Sequence, residues 1–328
     1  MQKFNSFEKL FVELTVKSGD TVSFHHHLRN GDYVLNKTIL ALDKENITNL
    51  TLAASGIFSV HEPIVPLIEK GTISSIYTNY LNGPVAKAVS EGALRNKLIM
   101  QTHGGRPRAI EQNELVIDVA FIAVSAVDKH GNANGVDGST VLGALGYSMS
   151  DVKKAKKVVL VTNSIVKHLS YVEIDGNDVD YVLMLDEIGD QNLIQSGTTS
   201  ITRNPVSLKI ARDAVTVIEE AGYLKDGLSF QTGAGGTSLA VTKYLKQQMI
   251  KKNIKGSFAS GGITGYLVDM LEEGLLEDLY DVQCFDLAAV ASLKRNEHHH
   301  LLSASQYANP FGVPIVNKLD IMILGATE

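Results

Sequence analysis

Short runs of β-branched and aliphatic residues recur along the chain, separated by stretches with a helical repeat. Runs at 50–55, 75–80, 98–103, 116–126, 157–162 and 181–186 predict strands, as do later ones at 228–232, 256–260, 282–286, 301–305 and 319–324. Several are continuously apolar rather than alternating, the pattern of strands covered on both faces. The clearest helix spans 205–221: Asn204 can cap it, Pro205 suits its first turn, and Gly222 stops it. Leu208, Ala211, Ala214, Val215 and Ile218 form its apolar face. Strand–helix alternation of this kind predicts an α/β fold with mainly parallel sheets and flanking helices.

Turn formers crowd residues 196–205, which places a domain boundary near residue 200 and gives units of 1–200 and 201–328. The run 319–324 reads as a buried strand with almost nothing after it, so the second α/β unit is expected to be incomplete in this sequence. A length of 328 residues suits two domains of about 150 each. The net charge of −6 and pI near 5.9 argue against a nucleic-acid surface. The single cysteine, Cys284, excludes an intramolecular disulfide and a thiolate zinc cluster. The start lacks the apolar core of a signal peptide and no apolar run is long enough to span a membrane, so a cytoplasmic protein is expected.

Candidate chemistry concentrates at predicted strand ends. In Leu98-Ile-Met-Gln-Thr-His-Gly-Gly-Arg-Pro-Arg108, His103, Gly104, Gly105, Arg106 and Arg108 sit on one turn. Guanidinium forks recognise carboxylate or phosphate, and glycine lets a ligand reach backbone N–H groups. A surface turn with solvated arginines is the alternative. A second cluster, with Gly233, Gly235 and Gly236, opens a helical pattern, and a third, with Gly261 and Gly262, follows one unit later. Neither is a P-loop or a dinucleotide fingerprint. Three such turns at strand ends predict ligand-facing loops along one sheet edge. In His25-His26-His27 alternate rings share a face, but Asp32 is the sole carboxylate close in sequence, which favours polar site lining or a hydrogen-bonded turn over a metal. His298-His299-His300 lies in a polar connection and is expected to be solvated. Asn79, and Gln306 with Asn309, add neutral donors on further loops.

Taken in order, these segments resemble the citrate lyase α-subunit family. The stretches concerned are Ser23-Phe-His-His-His-Leu-Arg-Asn-Gly-Asp32, Thr102-His-Gly-Gly-Arg-Pro-Arg-Ala109, Asp118-Val-Ala-Phe-Ile-Ala123, Ser196-Gly-Thr-Thr, Phe230-Gln-Thr-Gly-Ala-Gly-Gly236, Gly261-Gly-Ile-Thr-Gly-Tyr-Leu-Val-Asp-Met270 and Ser303-Ala-Ser-Gln-Tyr-Ala-Asn-Pro310. The family chain continues past the last residue here. The resemblance implies a CoA-transferase-like fold of two related, open α/β sheets. It also implies a reaction in which citrate displaces acetate from acetyl-ACP to give citryl-ACP. The implied partners are citrate, the acetylated acyl carrier (γ) subunit, the lyase β subunit and further copies of the chain in a larger complex. No metal or cofactor would be bound by this subunit; the carrier presents a CoA-like phosphoribosyl-dephospho-CoA arm.

Many CoA-transferases carry a nucleophilic glutamate where this sequence has Gly261 or Gly262. The resemblance therefore suggests direct attack by a citrate carboxylate in a ternary complex, with the enzyme supplying orientation and an oxyanion hole. On this reading Arg106, Arg108 and His103, with Gly104 and Gly105, hold citrate carboxylates. Gly233, Gly235, Gly236, Gly261 and Gly262 donate backbone N–H groups, and His25, His26, Asn79, Ser196, Thr198, Gln306 and Asn309 are secondary candidates. Glu328 is a nucleophile in principle but lacks a strand-to-helix context. The alternatives are a related transferase with a covalent glutamyl-CoA intermediate, and a non-catalytic scaffold for a polycarboxylate and a carrier.

Overall fold

The computed structural model describes residues 2–195, 200–233 and 235–325. The first half of the chain supplies β1 (Gln2–Phe4), β2 (Thr21–Phe24), β3 (Leu50–Ala54), β4 (Ile73–Thr78), β5 (Leu98–Met100) and β6 (Val119–Ala123). A small antiparallel ladder follows, β7 (Ala126–Val127) with β8 (Ala133–Asn134), and then β9 (Lys157–Thr162) and β10 (Tyr181–Met184). All but the ladder form one parallel sheet in the order β1-β10-β9-β6-β2-β3-β4-β5. Its central strands are apolar because helices cover both faces; every residue of β6 is buried.

A second parallel sheet, ordered β14-β13-β12-β11-β15, is built from β11 (Ser229–Thr232), β12 (Gly256–Ile263), β13 (Leu276–Cys284), β14 (His299–Leu301) and β15 (Ile321–Ile323). The Pro205–Glu220 helix forms where the periodicity places it. Its cap, Asn204, accepts hydrogen bonds from the Val206 and Ser207 N–H groups, and Ala211, Val215 and Ile218 are buried. The Gly236–Lys252 helix packs alongside and buries Leu239, Ala240, Leu245 and Met249.

Several boundaries differ from the sequence pattern. β2 lies in the middle of the first sheet yet escaped prediction, because it is short and Thr21 and Ser23 interrupt its apolar residues. β5 ends at Met100, and the glycine turn beyond it becomes a helix, Gly105–Glu111. The predicted strand 301–305 is β14 followed by a short helix, Ala304–Ala308, started by a capping box between Ser303 and Gln306. His298–His300 is only partly the solvated connection expected: His298 and His300 are open to solvent and bond to Asp278, whereas His299 is buried against Ser292 and Asp281.

The strands of each sheet run parallel, so each sheet has one carboxyl edge. The carboxyl ends of β2, β3, β4 and β5 face those of β11, β12 and β13 across a cleft. Segment Gly146–Ser148 and the Ala304–Ala308 helix close one end. There Glu111 of the first lobe accepts hydrogen bonds from Ser305 and Asn309 of the second.

Candidate active site

The cleft has a volume of about 480 Å³. The first lobe contributes His26 and Arg29 after β2, Phe58 after β3, Tyr80 after β4, and His103 and Tyr147; the second contributes Gln231, Gly233, Gly235, Gly262, Gln283 and Phe285 among others. Among the described lining residues the permanent cation is Arg29. No Asp or Glu lines the cleft among the described residues.

Arg29 sits in a tight turn, Arg29–Gly31, with φ of 53°. The turn is fixed from below by Asp32, whose carboxylate accepts the Val34 N–H at 3.0 Å and bonds His61 Nε2 at 3.1 Å. His61 Nδ1 accepts the Phe58 N–H at 2.9 Å, so the ring donates from Nε2 to Asp32. This buried pair anchors both Arg29 and Phe58. The guanidinium then lies over two rings, 5.5 Å from the Phe58 centroid and 4.9 Å from that of Phe285. Burial lowers the Arg29 pKa, a shift that Tyr80 opposes; the group stays charged.

His26 and His103 carry the ring nitrogens of the cleft. His26 is held by Ser55, and burial first, then the neighbouring His27, Arg29 and His103, keep its pKa well below the ordinary value. His103 shares a 2.8 Å hydrogen bond with the Tyr147 hydroxyl and keeps surface open to the cleft, while the protein packed around it lowers its pKa. Burial raises the pKa of Tyr147, which remains a neutral hydroxyl.

The cleft thus gathers His26, His103, Gly233, Gly235 and Gly262 from the residues expected by sequence, and the other described candidates lie elsewhere. Arg106 does not reach the cleft. It starts a helix with its side chain inward, fully buried, and its guanidinium bonds Ser23 at 2.8 Å, the Ala53 carbonyl at 3.2 Å and Asp151 at 3.4 Å. His25 points to the same carboxylate, Nε2 to Oδ2 at 3.0 Å. Burial alone raises the Asp151 pKa, but Arg106, His25 and Ser23 together hold it below the ordinary value. Arg108 points outward, paired with Glu114 through both terminal guanidinium nitrogens, Nη1 and Nη2. Gly104 packs against the Ala308 carbonyl, too close to admit a Cβ, and the Gly105 N–H bonds Thr102 Oγ1 at 2.9 Å.

Asn79 spends its amide on the Gln101 and Thr102 carbonyls, and Asn309 on Glu111. Gln306 completes its capping box. Gly236 packs against the Ser200 carbonyl, and Gly261, at a bulge in β12, lies against Gln231 and Tyr307. The Gly233 N–H is committed to the Ile323 carbonyl at 2.7 Å, so it is not an oxyanion donor. Ser196, Thr198 and Glu328 lie outside the described residues. Among the described residues, no group of three or more His, Cys, Asp or Glu could hold a metal ion, and no helix is long and apolar enough to cross a membrane.

Sequence reasoning missed Arg29, Phe58, Tyr80, Tyr147, Gln231, Gln283 and Phe285. Local signals were the Arg29-Asn-Gly-Asp32 turn, one residue after the histidine triplet, and the glycine cluster that Gln231 precedes.

Two parallel α/β sheets meeting edge to edge over one cleft define a CoA-transferase-like protein. Residues 2–328 match the family described as citrate lyase, alpha subunit (CitF). The citrate lyase alpha chain of Escherichia coli (strain K12) is 43% identical over 316 residues, covering 95% of this chain and 62% of that one. The Haemophilus influenzae alpha chain is 42% identical over 325 residues, covering 98% and 65%. A Streptococcus mutans protein described as an alpha subunit of citrate lyase, solved in complex with citrate, superimposes with a TM-score of 0.94 at 44% identity, over 98% of this chain and 64% of that one. A Pseudomonas malonate decarboxylase hetero-tetramer in complex with malonate shares the fold alone, at 18% identity and a TM-score of 0.64, over 84% of this chain and 51% of that one. The chain belongs to the citrate lyase alpha-subunit family. It spans less than two thirds of the length of the curated relatives it matches.

Proposed function

We propose that the cleft binds citrate and that the protein transfers the acyl-carrier thiol from acetyl-ACP to citrate, giving citryl-ACP and acetate. The observation that carries this reading is the composition of the cleft: Arg29 and neutral donors line it, with no acidic side chain among the described residues. Such a lining suits a small polyanion. Family membership and the citrate bound to the S. mutans relative select the acid.

A citrate carboxylate oxygen attacks the acetyl thioester carbonyl, and the carrier thiolate leaves as the mixed anhydride forms. The thiolate then attacks the citryl carbonyl and acetate departs. Arg29 neutralises carboxylate charge and orients the acid, while the aromatic walls exclude water. Gly262 and Gly235, where the strand and helix ends meet the cleft, are the backbone candidates for the oxyanion. The absence of a lining carboxylate among the described residues supports direct attack over a glutamyl-enzyme route. The partners follow from the same reading: an acetylated carrier with its CoA-like arm, a lyase β subunit, and further copies of this chain, in the cytoplasm. The subunit itself would carry no cofactor.

The test is citrate-dependent acetate release from acetylated carrier, paired with hydroxylamine or borohydride trapping. Release without a trappable enzyme thioester is expected. A trapped glutamyl thioester would replace the direct route with the covalent one, and citrate binding without release would leave a scaffold.

A further inference from the structure

We propose that His26 is a fixed, uncharged hydrogen-bond donor to a carboxylate oxygen of the bound acid, with Ser55 as the positioning residue that sets its tautomer; this rests on the citrate reading of the cleft.

The argument is an accounting of protons around one buried hydroxyl. Ser55 is fully buried, and its Oγ accepts the His26 backbone N–H at 3.1 Å. The same Oγ lies 2.6 Å from His26 Nδ1. If Nδ1 also donated, Oγ would receive two protons, and its own would have no other acceptor among the described residues. The hydroxyl proton therefore goes to Nδ1, and the ring proton sits on Nε2. His26 lines the cleft with Nδ1 taken by Ser55, and Nε2 has no partner among the described residues and is not one of the buried unpartnered atoms, so it is the ring nitrogen left open.

The ring has little freedom to turn. Tyr147 packs 4.9 Å away and Phe58 5.8 Å away, centroid to centroid. A Cβ on Gly56 would come within 3.0 Å of the His26 Cγ, so glycine there gives the ring its place. Gln283 of the second lobe donates to the His26 carbonyl at 2.9 Å. Of the titratable groups around the ring, Tyr147 is a neutral hydroxyl, and His25, His27, Arg29 and His103 each disfavour a second proton on it. A neutral imidazole beside Arg29 stays a donor at any pH where the carboxylates are ionised, whereas a base would be protonated by acid.

Glutamine separates the two roles, because its amide N–H stands near the place of Nε2–H but cannot act as a base. Citrate affinity of His26→Gln, by calorimetry, should stay within about threefold of wild type, while His26→Ala should lose about tenfold or more. In ¹⁵N-histidine-labelled protein, His26 should show the neutral Nε2–H form throughout pH 5.5–8, and Ser55→Ala should let the two tautomers exchange. Equal losses in both His26 variants, an Nδ1–H form, or a titration near pH 6.5 would overturn the proposal. Wild type that binds no citrate would instead overturn the citrate reading of the cleft, and the spectra would still decide whether His26 is a fixed donor.

Discussion

The guanidinium carbon of Arg29 lies 4.9 Å from the ring centroid of Phe285, which puts the cation of the first lobe against an aromatic wall of the second. Arg29 owes this position to the Asp32–His61 pair below its turn. Lysine would keep the charge but lose the planar fork and the stacking between Phe58 and Phe285. Arg29→Lys should weaken citrate binding by about tenfold or more. Phe285→Leu should weaken it by a few-fold, as expected for a partly desolvated cation–π contact of about 0.5–2 kcal/mol. Calorimetry on the two variants checks both; an unchanged dissociation constant in Arg29→Lys would remove Arg29 from the carboxylate site.

Arg106 should behave as a structural residue. Removing it leaves Asp151 buried, with His25 and Ser23 as its remaining side-chain partners. Breaking such a pair costs about 3–5 kcal/mol, much of it the stranded charge. Arg106→Ala should therefore lower stability by that order in urea unfolding, and Arg106→Ala with Asp151→Ala should recover a large part. The sign with pH follows from the lowered Asp151 pKa. The stabilisation is complete above the unfolded carboxyl value of about 3.9 and is lost as pH falls through the folded one. A double variant no more stable than the single would contradict this account.

Arg108 and Glu114 form a pair on an exposed face. Exposed pairs are worth about 0–1 kcal/mol. Arg108→Ala should leave the urea-unfolding midpoint close to wild type and citrate affinity at the wild-type value; a tenfold loss of affinity would show that Arg108 reaches the ligand by some rearrangement.

These two arginines show what was legible in the sequence and what was not. The strand–helix rhythm is a local property, and it located β3, β9, β10, β11 and the Pro205–Glu220 helix closely. Glycine clusters located the cleft for a similar reason, since turns at strand ends are written locally. The direction of a side chain is not local. Arg106 and Arg108 are two residues apart in one helical turn, and which of them faces inward depends on Asp151, which comes 45 residues after Arg106. Arg29 was hidden in the opposite way: a turn that reads as ordinary becomes the floor of the cleft because Phe285, from the other sheet, packs over it. β2 was missed because Ser23 breaks its apolar run. Yet Ser23 is polar because it bonds the buried Arg106–Asp151 network.

Glu173 offers a test of how the lobes are joined. Its Oε1 accepts the Leu145 N–H at 2.7 Å, while its Oε2 is buried with no partner in the structure. Leu145 leads into Gly146, which packs against the Val282 and Leu302 carbonyls of the second lobe. Burial pushes the Glu173 pKa up to about 8; the Leu145 N–H pulls it down and Asp281 adds to the rise. The unfolded carboxyl titrates near 4.3, so between that pH and about 8 the folded state holds a proton that the unfolded state has lost. The stability Glu173 gives is therefore full below about pH 4.3, declines as pH rises, and is gone once the folded carboxyl ionises. Glutamine keeps the acceptor for Leu145 and never ionises. Glu173→Gln should be more stable than wild type at pH 9 by on the order of 5 kcal/mol, with the difference closing toward pH 5. Urea unfolding at pH 5, 7 and 9 reads this directly, and parallel curves for the two proteins would mean that Glu173 is ionised in the native fold near neutrality.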